Sequence, residues 1–421
     1  MTSFAALGLR PRTLETLRRL RIDQPTEVQA SAIPILKAGR DCVIQSPTGS
    51  GKTLAFLIPM VERLRTHQHG SPRALIVTPT RELATQIGAV LAQLDPGLRQ
   101  VLVFGGVGYG KQINSLGRAD VIIGCPGRIL DLAGRGAAPL GSVEFLVLDE
   151  ADEMFDAGFA KDVEKIAERT THRTTSSPRQ TVLASATMPE WVSAISRKHL
   201  VEPAQVAVAP ALESQLEHGL FAVQRSQKVA VLSKLLKRSS STIVFHRTKH
   251  GAKKLARDLT DMGHSTSELQ GNLSQGARDR AIAAFRRRDT AVLVATNVAA
   301  RGIDVVDVDL VVNYELPDTA LWLTHRIGRT ARNGASGRAL TFMSEDDGEK
   351  WRKLRRLGAP ALRFVDQSEL LDEGNMVFLA DGMEGAAAPR SQTRPISAAA
   401  GRHPRNTAPP WSARRGRRRS R

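Results

Sequence analysis

No stretch of this sequence stays apolar for the roughly 20 residues that a bilayer-crossing helix needs, and the N-terminus has no signal-peptide apolar core. A soluble intracellular protein with no membrane partner is expected. Cysteine is almost missing. Cys42 and Cys125 are the only two in 421 residues, and they share no metal-ligand spacing, which argues against a disulfide scaffold or a zinc site. No internal repeat is visible. Acidic residues stop at Glu384, and ten arginines follow them. That last stretch is rich in Ala, Pro, Ser and Arg and too poor in large apolar residues to fold alone, so residues 371–421 are read as a disordered tail.

What is present suits two domains: 421 residues with 41% hydrophobic content and a net charge of +18. The charge points to a polyanionic partner. Residues 1 to 40 read as two short helices, with Leu14, Leu17 and Leu20 on one apolar face and a break at Pro25. From Asp41, apolar runs alternate with helical patterns: Ala74 to Val77, Val101 to Phe104, Val121 to Ile123, Val143 to Leu148 and Thr181 to Ala184. A second series follows at Thr242 to Phe245, Ala291 to Val294, Leu310 to Asn313 and Ala339 to Phe342. This is the rhythm of βαβ units, so the fold class is α/β with two tandem doubly wound parallel sheets. Val201 to Gln215 contains two prolines and no strong period, which places a linker near 208 to 216 and domains at 1–210 and 211–370.

Two stretches carry chemistry. Val143 to Asp152 is an apolar run ending in three carboxylates, Asp149, Glu150 and Asp152, at the carboxyl edge where parallel sheets bind ligands. Such residues suit hydrated Mg²⁺; taken alone, a solvated strand end or an acidic helix start reads equally well. About a hundred residues earlier, the short strand Asp41 to Gln45 leads into Ser46-Pro47-Thr48-Gly49-Ser50-Gly51-Lys52-Thr53 and then an apolar helix, which is the phosphate loop in its required context. Gly49 and Gly51 let backbone N–H groups turn inward around phosphate with Thr48 and Ser50, Lys52 supplies charge, and Thr53 can ligate Mg²⁺.

With these pieces placed, the chain resembles the DEAD-box ATP-dependent RNA helicases of superfamily 2 from about Phe4 to about residue 345. The motifs run in the family's order: Phe4, Pro25-Thr26 and Gln29, Ser46 to Thr53, Pro79 to Ala84, Gly105-Gly106, Pro126-Gly127-Arg128, and Asp149 to Asp152. Ser185-Ala186-Thr187, Gln275 with Arg278, Ala295 to Asp304 and His325 to Thr330 complete the set. The resemblance implies two RecA-like domains, ATP and Mg²⁺ as cofactors, and RNA held through its backbone without sequence readout. It implies that Gln29 and Thr26 read adenine with Phe4 on the base, and that Lys52 and Thr53 hold phosphate and metal. Asp149 then binds Mg²⁺ through water, Glu150 activates the attacking water, Arg326 and Arg329 act as arginine fingers, and Asp304 takes the ribose. Asp152, Ser185, Thr187 and His325 look like the coupling between nucleotide and RNA. Thr80, Arg81, Gly105, Gly106, Gly127 and Arg128, with Gln275, Arg278 and Thr296, look like the RNA contacts.

Departures fall outside the expected hydrolytic residues. Cys125 stands for the family's Thr, Asn297 for Asp, Gln270-Gly271-Asn272 for His-Gly-Asp, Ala331 for Gly, and Arg21 for a glycine. Trp191, Trp322 and Trp351 read as packing, and Trp411 lies in the tail. The expected protein is a monomeric, RNA-stimulated ATP hydrolase that unwinds short duplexes. A non-unwinding ATP-gated RNA clamp and a DNA translocase are the competing readings.

Overall fold

The computed structural model describes residues 3–47, 49–64, 72–170, 179–208, 216–300, 308–330 and 337–366. Thr48, Asp304, Ala331, Trp411, most of the expected linker and the arginine-rich tail lie outside the described residues.

Among the described residues the strands form two sheets. The first holds β1 (Cys42–Gln45), β2 (Ala74–Val77), β3 (Gln100–Val103), β4 (Val121–Gly124), β5 (Phe145–Leu148), β6 (Gln180–Ser185) and β7 (Ala204–Ala207), in the spatial order β3-β4-β2-β5-β6-β1-β7. The second holds β8 (Leu216–Ala222), β9 (Thr242–Phe245), β10 (Thr266–Leu269), β11 (Val292–Ala295), β12 (Leu310–Asn313), β13 (Gly337–Met343) and β14 (Arg363–Phe364), in the order β10-β11-β9-β12-β13-β8-β14. Counted from the first strand of each sheet, the two orders are the same. Every pairing is parallel. The chain therefore repeats one architecture twice with no repeat visible in its sequence.

Strand alternation sends neighbouring side chains to opposite faces, and both faces of each sheet are covered. In the first, Ile44, Ile76, Val147 and Val182 join one core cluster while Val43, Leu75, Leu146 and Leu183 join the other. In the second, Val244, Val294 and Val312 face one cluster, and Ile243, Leu293 and Val311 the other. This is why these runs read as almost unbroken Val, Ile and Leu.

The expected strands are present; β2, β9 and β12 have the expected ends and the others are shifted by one or two residues at their ends. The run expected from Val143 begins as a strand at Phe145, because Leu140–Ser142 is a 3₁₀ turn. Four strands were not legible. β7, β10 and β14 lie at sheet edges, where a strand has one neighbour and tolerates polar residues such as the Thr-Ser-Glu of β10. β8 begins at Leu216, the last residue of the expected linker, with a polar Leu-Glu-His-Gly start, and its half-buried His218 is accommodated by a 2.9 Å hydrogen bond to Thr341.

Candidate nucleotide and nucleic-acid site

Strand order sorts the motifs into groups. β5, β6 and β1 are neighbours, so Asp149 to Asp152, Ser185 to Thr187 and the phosphate loop all leave the same carboxyl edge. β3, β4 and β2 are the other group, and from their ends emerge Gly105-Gly106, Gly127-Arg128 and Thr80-Arg81.

In the phosphate loop, Gly49 and Gly51 have φ of 85° and 94°, a region that side-chain-bearing residues avoid. A Cβ on Gly51 would also lie 2.5 Å from Gln29 Nε2. That approach exists because the Gln29 amide donates to the Gly51 carbonyl at 3.1 Å while its oxygen accepts from the Thr26 N–H at 3.1 Å. The Thr26 hydroxyl accepts in turn from the Gln29 N–H, closing a capping box at the start of the helix Glu27–Lys37. The amide keeps one lone pair and one N–H beyond these bonds, although Gln29 is 2% exposed. Phe4 is 3% exposed and belongs to the core cluster that contains Val28. Lys52 opens the helix Lys52–Leu64 with its ammonium donating to the Ser46 and Pro47 carbonyls. The Ser46 and Ser50 hydroxyls share a 2.5 Å hydrogen bond, and Thr53 follows in the first turn.

The carboxylates stand opposite this loop. Asp149 is buried, and burial pushes it up to about 6 against the pull of Lys52. Glu150 has φ 51° and ψ 53°, a left-handed conformation that costs a residue with a Cβ roughly 1–2 kcal/mol. Its acid is raised well above the usual range, first by burial and then by Glu153 and Asp149, while Arg329 and Lys52 pull the other way. Glu150 Oε2 has no hydrogen-bond partner among the described residues. Asp152 differs because it is fully engaged. Its Oδ2 accepts from the Thr187 N–H at 2.8 Å and the Thr187 hydroxyl at 2.7 Å, and the Asp152 N–H donates to the Ser185 hydroxyl.

Second-domain side chains reach this edge. On the helix Ala320–Ile327, His325 places Nδ1 3.1 Å from Glu153 and Nε2 3.8 Å from Asp152. Both contacts are ion pairs between buried side chains. Burial opposes a proton on His325, but the two carboxylates outweigh it and push the imidazole up to about 10. Burial alone would raise Asp152; His325 and Thr187 outweigh it and hold that acid down to about 2. Glu153 was not anticipated, although it directly follows Asp152.

Arg326 lines a small cavity with Glu153, His325 and Arg329, and its Nη2 has no hydrogen-bond partner among the described residues, but its other donors are taken within the second domain. It is 1% exposed, with Nε on the Asn297 side-chain oxygen at 2.7 Å and Nη1 on Asn313 Oδ1 and the Glu315 carbonyl, both at 2.9 Å. Burial lowers it to about 9. It sits in the last helical turn and points into its own domain, whereas Arg329 lies beyond the helix end and close enough to Glu150 to affect its charge.

Along the β3-β4-β2 edge, Thr80 caps the helix Arg81–Leu94 by accepting from the Leu83 N–H. Arg81 lies over Phe104 and against Gly106, where a Cβ would come 2.8 Å from its Nη1. Arg128 donates to the Val107 carbonyl at 3.1 Å, while Gly105 and Gly127 are exposed. Cys125 begins the helix Pro126–Gly134 without a side-chain cap, and burial pushes its thiol up to about 12. In the second domain, Thr296 is buried after β11 and Gln275 opens the helix Gln275–Arg286 with its amide on Asp279. Arg278 departs from expectation. Its guanidinium meets Glu82 of the first domain through Nε at 3.0 Å and Nη2 at 2.8 Å, and also donates to the Ala299 carbonyl. That pairing, between two largely buried side chains, leaves RNA phosphate a competitor for Arg278 rather than its partner.

Two family descriptions match these regions: the DEAD/DEAH box helicase over residues 26–195 and the helicase conserved C-terminal domain over residues 227–334. The chain belongs to the DEAD-box helicase family. The RNA helicase CrhR of Synechocystis is 39% identical over 354 residues, covering 82% of this chain and 70% of that protein. The ATP-dependent RNA helicase RhlB of Vibrio parahaemolyticus is 38% identical over 356 residues, covering 82% of this chain and 81% of its own length. Among solved structures, S. cerevisiae Dbp5 bound to RNA and ADP BeF3 is similar at 31% identity and TM-score 0.76, with 87% of this chain and 96% of that one covered. Several relatives are much longer, and the chain spans 45% to 63% of six of them. Among the described residues of this DEAD-box chain, no helix is long and apolar enough to cross a membrane.

Proposed function

We propose that this chain is an ATP-dependent RNA helicase that closes its two domains on ATP and RNA together and opens short duplexes locally. The observation that carries the proposal is one edge built from both domains, with Arg329 beside Glu150 and His325 against Asp152 and Glu153. Gln29 and Thr26 take the adenine with Phe4 behind them, and the bond from Gln29 to Gly51 links base recognition to the shape of the phosphate loop. Thr48 to Thr53 bind the phosphates and Asp304 the ribose. Lys52 exchanges its loop carbonyls for phosphate oxygens.

The donor set fits Mg²⁺, because the buried Asp149 and the half-buried Glu150 are adjacent and mutually repulsive. Held by Thr53 and, through water, by Asp149, the ion would neutralise phosphate charge. Glu150 orients the attacking water and accepts its proton. Arg329 stabilises charge developing on the γ-phosphoryl group only when the cleft is closed, and Arg326 supports the helix that carries His325. Thr80, Arg81, Gly105, Gly106, Gly127, Arg128, Gln275 and Thr296 line the RNA backbone path, while Arg278 joins the domains through Glu82. The RNA-bound relative supports this path. Unwinding of a short RNA duplex by the full chain at limiting ATP tests the proposal. Strand release that requires ATP is expected; RNA-stimulated hydrolysis without release would make the protein an ATP-gated clamp.

A further inference from the structure

The first-domain RNA edge does not end at Arg128. The helix Pro126–Gly134 carries Arg128 and Asp131 one turn apart, and Arg135 caps its end. Seven residues at 1.5 Å each put Arg135 about 10 Å from Arg128 on the same side of the helix. Both guanidinium groups lie over the ring of Tyr109. Arg128 Cζ is 4.2 Å and Arg135 Cζ 4.6 Å from its ring centroid. Asp131 organises the group: its Oδ1 accepts from Arg135 Nε at 2.9 Å, Arg128 lies 3.9 Å from its Oδ2, and the Tyr109 hydroxyl reaches it. The side chain of Arg135 is 56% exposed, and Tyr109 is 38% exposed.

An exposed ring fixed beside two guanidinium groups has a use on a nucleic-acid surface. Guanidinium and aromatic planes both stack on nucleobases, and such platforms bind single strands without choosing sequence. The group is continuous with the proposed backbone path, because Arg128 also grips the Val107 carbonyl next to Gly106. It carries net positive charge, since one carboxylate faces two arginines.

We propose that Tyr109 and Arg135 form a stacking platform that takes one further nucleotide of single-stranded RNA beyond the backbone contacts at Arg81 and Gly106. This rests on the RNA edge proposed above. Its alternative is a purely structural staple between the helices Tyr109–Leu116 and Pro126–Gly134.

The test is the affinity of the full chain, with a non-hydrolysable ATP analogue, for an oligouridylate and for a strand of equal length whose bases are removed. Arg135→Ala should weaken the oligouridylate roughly fivefold and Tyr109→Ala roughly tenfold, at the lower end of what one stacked base contributes. Both losses should shrink to less than twofold on the abasic strand. Tyr109→Phe keeps the ring and should stay within twofold of wild type on both. A melting temperature that falls with Tyr109→Ala while RNA affinity holds would make the group a staple and overturn the platform. Equal losses on both strands would make Arg135 a phosphate contact and overturn stacking. Arg81→Ala separates the two levels of the argument: if it weakens RNA and Arg135→Ala does not, the platform alone fails; if neither matters, the RNA edge itself is misplaced.

Discussion

Glu150 is the residue at which sequence, strain and function meet. A half-buried glutamate in the left-handed region, beside another carboxylate, is an arrangement that the surrounding edge has to enforce. Glu150→Gln should keep ATP binding and slow hydrolysis by roughly 10² to 10⁴, the usual worth of a positioned base; single-turnover rates with RNA present check it. Arg329 and Arg326 separate by readout. Arg329→Ala should cost about 10³ in RNA-stimulated turnover with an unchanged melting temperature. Arg326→Ala should instead lower the melting temperature, because it leaves Asn297 and Asn313 without a buried donor. The sequence does not separate these two arginines. They stand three residues apart with the same charge, and only the end of the helix at Ile327 decides that one points inward and the other toward the cleft. The phosphate loop was legible because its glycines, lysine and flanking elements are all local, whereas the Gln29 bond to Gly51 spans 22 residues and appears only in the fold.

At the scale of elements, the link between the helices Arg81–Leu94 and Gln275–Arg286 is the finding that sequence reasoning lacked. Arg278 reads as a basic residue on an RNA face, and its partner Glu82 lies 196 residues away. Removing one member of a buried ion pair costs more than the pair contributes, because the other is left uncompensated. Glu82→Ala and Arg278→Ala should therefore each lower RNA-stimulated ATPase, while the exchange Glu82→Arg with Arg278→Glu should recover a substantial part of it. Recovery no better than either single variant would show that the pair does not join the domains. The central strands were readable as apolar runs because both sheet faces are buried. The edge strands were not, since one unpaired side allows polar residues and weakens the pattern.

At the scale of the whole molecule, ion pairs link the domains that carry the two sheets of one strand order. His325 has an ordinary pKa of 6.5 and is raised to about 10 between Asp152 and Glu153. Its contribution to closure is therefore whole below about pH 6.5, declines above it, and is lost as pH rises through about 10. Asp152, held down to about 2, acts in the opposite sense, and its share is lost only in strong acid. RNA affinity in the presence of an ATP analogue should fall from pH 7 to pH 9.5, and His325→Asn should flatten that profile. A closing cleft makes ATP and RNA each strengthen the other's binding by the same factor. The measurement that reaches this most directly is the RNA affinity of the full chain with and without a saturating non-hydrolysable ATP analogue. The account predicts at least a tenfold gain with the analogue, largely lost in Glu82→Ala; equal affinities with and without it would contradict a site assembled from both domains.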